Sequence, residues 1–295
     1  MRAAGGPRLA LVLPGAAVTI LAVLILALVA HLTVISQLQY QRTQQVAYAD
    51  FRAELARGTA PVGQTRVDFA TGREKLVDPG TAVAVLDVPA IGLHAVVFEG
   101  TSGDVLRSGP GHRRDTVLPG QAGASVVMGR RAAYGAPFRD LDLLLPGDLI
   151  FVTTGQSDER HQYRVIGPRR PGDPVPQPPA ANAGRLTLIT ALGPAFMPED
   201  SLRVDADLVS PVRPAPRRVF GAASLPAAEQ VMGTDPGAWT PLMLWGQALL
   251  LAALGLTYFR LRWGRWQTWL VGVPVLGALA LAAADQAAGL LPNLL

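Results

Sequence analysis

A chain of 295 residues is long enough for one domain of ordinary size with further segments around it. Its 26 basic residues, all arginine except Lys75, outnumber 22 acidic ones, but they are scattered without aromatic interleaving, which argues against a nucleic-acid partner. There is no cysteine, which excludes disulfides, thiolate metal sites and a thiol nucleophile.

Hydrophobic residues make up 49% of the chain and gather at its two ends. Residues 9–35 are nearly uncharged, which suffices for the about 20 apolar residues of a spanning helix. The run is longer than a signal-peptide core, and no small-x-small cleavage site follows it. Residues 9–35 therefore read as an uncleaved anchor behind a basic cytoplasmic start at 1–8, which holds Arg2 and Arg8.

Residues 36–80 read as a juxtamembrane helix and a linker. Leu38, Val46, Phe51 and Leu55 recur among polar residues, and Gly58 and Pro61 end the helix. A β-rich domain follows over 81–210, with strands expected at 82–88, 94–99, 124–128, 148–154, 162–167, 185–190 and 202–209. Short apolar runs bounded by Gly and Pro suit a sandwich or a barrel. Residues 211–240 read as a Pro-rich linker back to the membrane.

Two further spans are expected at 241–259 and 269–291, joined by the basic, tryptophan-bearing loop 260–268. Positive loops favour the cytoplasm. Three spans then make the chain a multi-pass protein of a bacterial cell membrane, with the β domain and the C-terminal end outside. Asp285 falls late in the third span, either near the outer interface or as an intramembrane carboxylate with a function. His31, His94, His112 and His161 show no metal-ligand spacing, and Glu99, Asp140 and Asp142 form no dedicated calcium loop. No metal and no cofactor is expected. His94 and His161 read as strand-surface residues and His112 as a turn residue.

Over residues 82–209, Val85-Leu86-Asp87-Val88-Pro89 and Gly109-Pro110-Gly111-His112 resemble the opening strand and turn, and the segment that follows, of the sortase family, in the manner of its actinobacterial class E members. Gly129-Arg130-Arg131-Ala132-Ala133-Tyr134-Gly135-Ala136-Pro137-Phe138 is similar to the family's Gly-His-Arg followed by Tyr-Gly and Phe at the same spacing. Leu186-Thr187-Leu188-Ile189-Thr190 resembles the strand that leads to the nucleophile. The resemblance implies a mainly β fold: an eight-stranded β-barrel ectodomain, here beside three transmembrane α-helices, that handles sorting signals of the Leu-Pro-x-Thr-Gly type. In active members a cysteine attacks the peptide carbonyl, a histidine moves protons, and an arginine supports the oxyanion.

Here the histidine position holds Arg130, the cysteine position Ala191, and the arginine position Ser201, just before Leu202-Arg203-Val204. A methyl group is no nucleophile, and a guanidinium with a pKa above about 12 exchanges no protons near neutrality. The expectation is a sortase-like pseudoenzyme with no catalytic residues. Its old cleft, at Arg130, Arg131, Thr190, Ala191, Ser201 and Arg203, would bind an envelope protein, a sorting-signal-like peptide or an active sortase. Arg130 beside Arg131 suits an anion or a C-terminal carboxylate; the plainer alternative is that Arg130 pairs with a neighbouring acid in a closed cleft. Two other readings stay open. One is a membrane-embedded partner subunit that works through its helices, with Gly272, Gly277 and Ala278 suited to close packing. The other is a residual hydrolase or transpeptidase with Thr190, Ser201 or Ser125 as nucleophile and His112 as base.

Overall fold

The computed structural model describes residues 24–67, 72–157, 159–263 and 265–295. The basic start and the first part of the expected anchor lie outside the described residues. The chain divides into two compact units, one of Ser36–Asp235 with Leu291–Leu295, the other of Met1–Ile35 with Pro236–Leu290.

In the first unit, β1 (Thr65–Val67) and β2 (Glu74–Leu76) pair antiparallel by themselves. Eight further strands form the barrel: β3 (Ala82–Val88), β4 (Leu93–Glu99), β5 (Gly111–His112), β6 (Gly123–Met128), β7 (Leu149–Thr154), β8 (His161–Arg169), β9 (Gly184–Leu192) and β10 (Asp200–Leu208). They close in the order β10-β8-β7-β3-β4-β5-β6-β9, with β9 paired to β10. The pairs β4/β5 and β6/β9 are parallel; the others are antiparallel.

Several strands bury alternate residues in the barrel. In β7, Ile150, Val152 and Thr154 point inward while their neighbours are half-exposed. In β10 the inward set is Leu202, Val204 and Ala206. These pack with Leu86, Val97, Phe138, Leu144, Leu186 and Leu188 in one core, each buried aliphatic contributing about 1.5–3 kcal/mol. All seven strands expected from the sequence are present within a few residues. The eighth, β5, has two residues and offers no period to read.

The helix Ser36–Arg57 docks on the outside of this barrel. Phe51 is fully buried against Val85, Val96 and Phe98, with Ala47 and Leu55 beside it. The Gln44 carboxamide locks on to β4: Oε1 accepts from Val96 N at 2.7 Å, and Nε2 donates to Ser108 O at 2.8 Å. The buried line is therefore 47, 51 and 55, one face at i, i+4 spacing. Leu38 and Val46, expected on that face, lie off it and are exposed.

The second unit is helical. The helices Trp239–Trp263 and Arg265–Gly289 pack on each other. Three helices, Leu24–Arg57, Pro236–Leu256 and Trp266–Gly289, are long and apolar enough to cross a membrane. Gly272 sits where an added Cβ would come within 3.2 Å of Leu256, a close approach of the kind the small residue was expected to serve; Gly277 has nothing near it. His31 Nε2 lies 3.3 Å from Asp285 Oδ1, so this carboxylate has a buried partner inside its own unit.

Candidate functional site

β6 and β9 run in parallel, and their ends build the site. Gly129 N donates to Ile189 O at 3.0 Å, and Thr190 Oγ1 donates to Gly129 O at 2.9 Å. A side chain at 129 would meet the Phe138 ring at 2.6 Å, so glycine is required where the chain leaves the barrel. That crossing delivers Arg130 beside the last residues of β9. On the other side, the β9/β10 register sets Ser201 directly opposite Ala191. Arg130, Thr190, Ala191 and Ser201 are thus gathered at one end of three adjacent strands. Arg131 reaches the same place, donating to Ala191 O at 3.4 Å, with its other terminus 3.5 Å from Asp142 Oδ2. Arg203 stands apart. It pairs in register with Ile189 and lines a surface hollow of about 270 Å³ with Arg169, Arg170 and Asp200, which Ser201 also borders.

The Arg130 guanidinium is 1% exposed. Nη2 donates to Gly103 O at 2.9 Å, Nη1 donates to the main-chain oxygen of Leu295 at 3.0 Å, and the group lies 4.9 Å from the Tyr134 ring centroid. Burial first, and then Arg107, push its pKa down to about 10, against Tyr134 and Asp104. It stays charged at neutral pH, held by main-chain dipoles and a π face. Among the described residues no acid pairs with it, so the plain ion-pair alternative is not what fills the cleft.

What fills it is the segment Leu291–Leu295, of which the sequence reading placed residue 291 at the end of a span and gave 292–295 no role. Leu294 is fully buried in a cluster with Leu106, Met128, Ile189 and Ala191, and its main-chain oxygen accepts from Arg131 N at 3.0 Å. The Asn293 carboxamide donates to Thr101 O at 2.8 Å and Gln230 O at 2.9 Å, while Asn293 N donates to Gly233 O at 2.9 Å. Those last acceptors belong to the stretch read as a linker, which packs here on the barrel through the buried Glu229, 3.2 Å from Arg114. The only signal in the sequence was a carboxamide placed after Pro292 in an otherwise apolar run.

A family profile described as "Sortase domain" matches residues 86–206, which run from β3 to β10. The barrel is a sortase domain. Sortase SrtE1 of Streptomyces coelicolor is 29% identical over 172 residues, 52% of this chain and 48% of that protein. Sortase D of Bacillus subtilis is 28% identical over 89 residues, 30% of this chain and 37% of that protein. The chain thus spans about half or less of the length of these curated relatives. A solved sortase E from Streptomyces avermitilis is 28% identical and matches 52% of this chain and 100% of its own, with a TM-score of 0.38.

The histidines and two of the three candidate hydroxyls, Thr190 and Ser201, are engaged elsewhere. His112, expected in a turn, is a buried strand residue: the parallel β4/β5 register sets it against Glu99, and Nδ1 lies 2.8 Å from Glu99 Oε2. Its Nε2 faces Val117 O at 2.9 Å and Thr116 Oγ1 at 3.1 Å. Burial opposes charging the ring, but Glu99 and the Val117 carbonyl outweigh it and raise the pKa. With Glu99 on one ring nitrogen and Val117 O and Thr116 Oγ1 at the other, this ring is engaged away from Thr190 and Ser201. Thr190 donates to Gly129, and Ser201 is 3.4 Å from Asp200 Oδ1; neither has a histidine partner. His161 is buried rather than on the surface, 3.1 Å from Thr154 Oγ1, because its strand face turns inward. His94 is exposed and edge-on to Tyr48. Glu99 is committed to His112 and Asp142 to Arg131, and no group of three metal-ligating side chains occurs among the described residues.

Proposed function

We propose that this chain is a membrane-anchored, sortase-like pseudoenzyme of the bacterial cell envelope, whose sortase domain binds a peptide or a surface protein without cutting it. The observation that carries this reading is Ala191, a methyl group at the end of β9 where the family resemblance expects the nucleophile, opposite Ser201 and beside Arg130. Removing one member of a catalytic triad already costs on the order of 10⁴–10⁶ in rate, and three positions differ here. A domain that keeps its barrel and loses its chemistry is suited to recognition. Its partner would be a sorting-signal-like peptide, the envelope protein that carries one, or an active sortase.

The placement outside the membrane is supported by the basic residues Arg260, Arg262 and Arg265 between the last two apolar spans, since positive connections favour the cytoplasm. The test is mass spectrometry of the full chain in detergent with a Leu-Pro-x-Thr-Gly peptide and a triglycine acceptor. The peptide should stay intact; cleavage or transfer above the protein-free rate overturns the reading.

A second reading, a partner subunit that works through its helices, draws on the pair of buried His31 with half-buried Asp285, since ionisable groups in apolar helices are costly and tend to be kept for a function. Capture of the same partners by residues 236–290 alone would favour it.

A further inference from the structure

Leu291–Leu295 belongs to the barrel's unit, yet the whole segment Pro236–Leu290 intervenes, and that segment belongs to the other unit. It meets the barrel as a short tethered peptide, not as a continuation of the strands. Its contacts are those by which a groove reads a peptide. The Arg131 amide donates to one main-chain oxygen (Leu294) and the Arg130 side chain to the next (Leu295). One branched side chain, Leu294, fills an apolar pocket floored by Leu106, Ile189 and Ala191. One carboxamide, Asn293, is threaded among carbonyls.

We infer that the end of the sortase domain around Arg130, Arg131 and Ala191 is a peptide-binding groove, and that Leu291–Leu295 is its resident ligand in cis. The ligand class is a short segment with a carboxamide, then a branched apolar residue, then a main-chain oxygen at Arg130. This inference rests on the proposed recognition role and names its ligand and its regulation. A tethered segment competes as though present at about millimolar concentration, so a peptide from another protein binds only to the fraction of molecules whose own segment has left. Arg130 then has a defined task at the position where the family resemblance expects histidine: it holds the peptide backbone and takes no part in proton transfer.

The test uses a fluorescent Leu-Pro-Asn-Leu-Leu peptide, with the full chain and a chain lacking residues 291–295, both in detergent and both checked for folding by thermal melt. The shortened chain should bind the peptide at least tenfold more tightly than the full chain, and Arg130→Gln in the shortened background should weaken binding about tenfold. A folded shortened chain that ignores the peptide, or a full chain that binds it equally well, overturns the inference. If the shortened chain does not fold, hydrogen exchange in the full chain decides. The Arg131 amide should be protected in the wild type and lose at least tenfold of that protection in Leu294→Asp; equal exchange in the two overturns the inference. Mass spectrometry of the same samples separates the two levels. Cleaved peptide counts against the pseudoenzyme reading, and displacement of the segment is read independently from affinity.

Discussion

Arg130 and His112 are both buried basic side chains, and their surroundings give them different duties. Arg130 has two main-chain oxygens and an aromatic face but no carboxylate among the described residues. Arg130→Ala would leave the oxygens of Gly103 and Leu295 without these donors, at about 1–3 kcal/mol each where they stay dry. Hydrogen exchange should show residues 291–295 losing protection in that variant while the barrel strands keep theirs. His112 is paired with Glu99, and breaking such a buried pair costs about 3–5 kcal/mol. Because the folded pKa of His112 is raised, its stabilisation is complete below the unfolded value of about 6.5 and is lost as pH rises through the folded value. The urea midpoint of the wild type should therefore fall between pH 6 and pH 9, and His112→Gln should start lower and lose this fall. Ala191, 3% exposed in the cluster that holds Leu294, offers a direct probe. In Ala191→Cys the new thiol should react with maleimide at least tenfold more slowly in the full chain than in the chain lacking residues 291–295.

At the scale of elements, helix Ser36–Arg57 is held to the barrel by Phe51 and Gln44. Phe51→Ala should cost about 3–5 kcal/mol, read from urea unfolding, whereas Val46→Ala, on an exposed side, should stay within about 0.5 kcal/mol. Such elements were legible in the sequence wherever a period or a bounded apolar run survived. β10 alternates polar and apolar residues along 200–208, β7 was read from its continuous apolar run bounded by Gly147 and Gly155, and β3 matches its expected range of 82–88. β5 was lost because two residues carry no pattern, and with it the pairing that buries His112 against Glu99, 13 positions away in sequence. Positions 130, 191 and 201 could be named from motif spacing. That Ser201 stands opposite Ala191 is a matter of strand register. The segment Leu291–Leu295 was illegible for a different reason: apolar residues after an apolar helix look the same whether they end a span or enter a groove. Only the carbonyls around Asn293 distinguish the two.

At the scale of the whole molecule, the helical unit exposes Leu250, Leu251, Leu254 and Leu270. Within the helical unit, Asp285→Leu should change helix packing by no more than about 2 kcal/mol, which retained helicity on heating in detergent would register. The barrel is where the family's chemistry would stand or fall. The absence of cysteine from the chain rules out a thioacyl intermediate, so the open question is whether any turnover remains. Mass spectrometry of a Leu-Pro-x-Thr-Gly peptide incubated with the full chain and triglycine answers it. Only intact peptide is expected, in the full chain and equally in the chain lacking residues 291–295. A cleaved or triglycine-linked product above the protein-free rate in either one would contradict a sortase domain kept for binding alone.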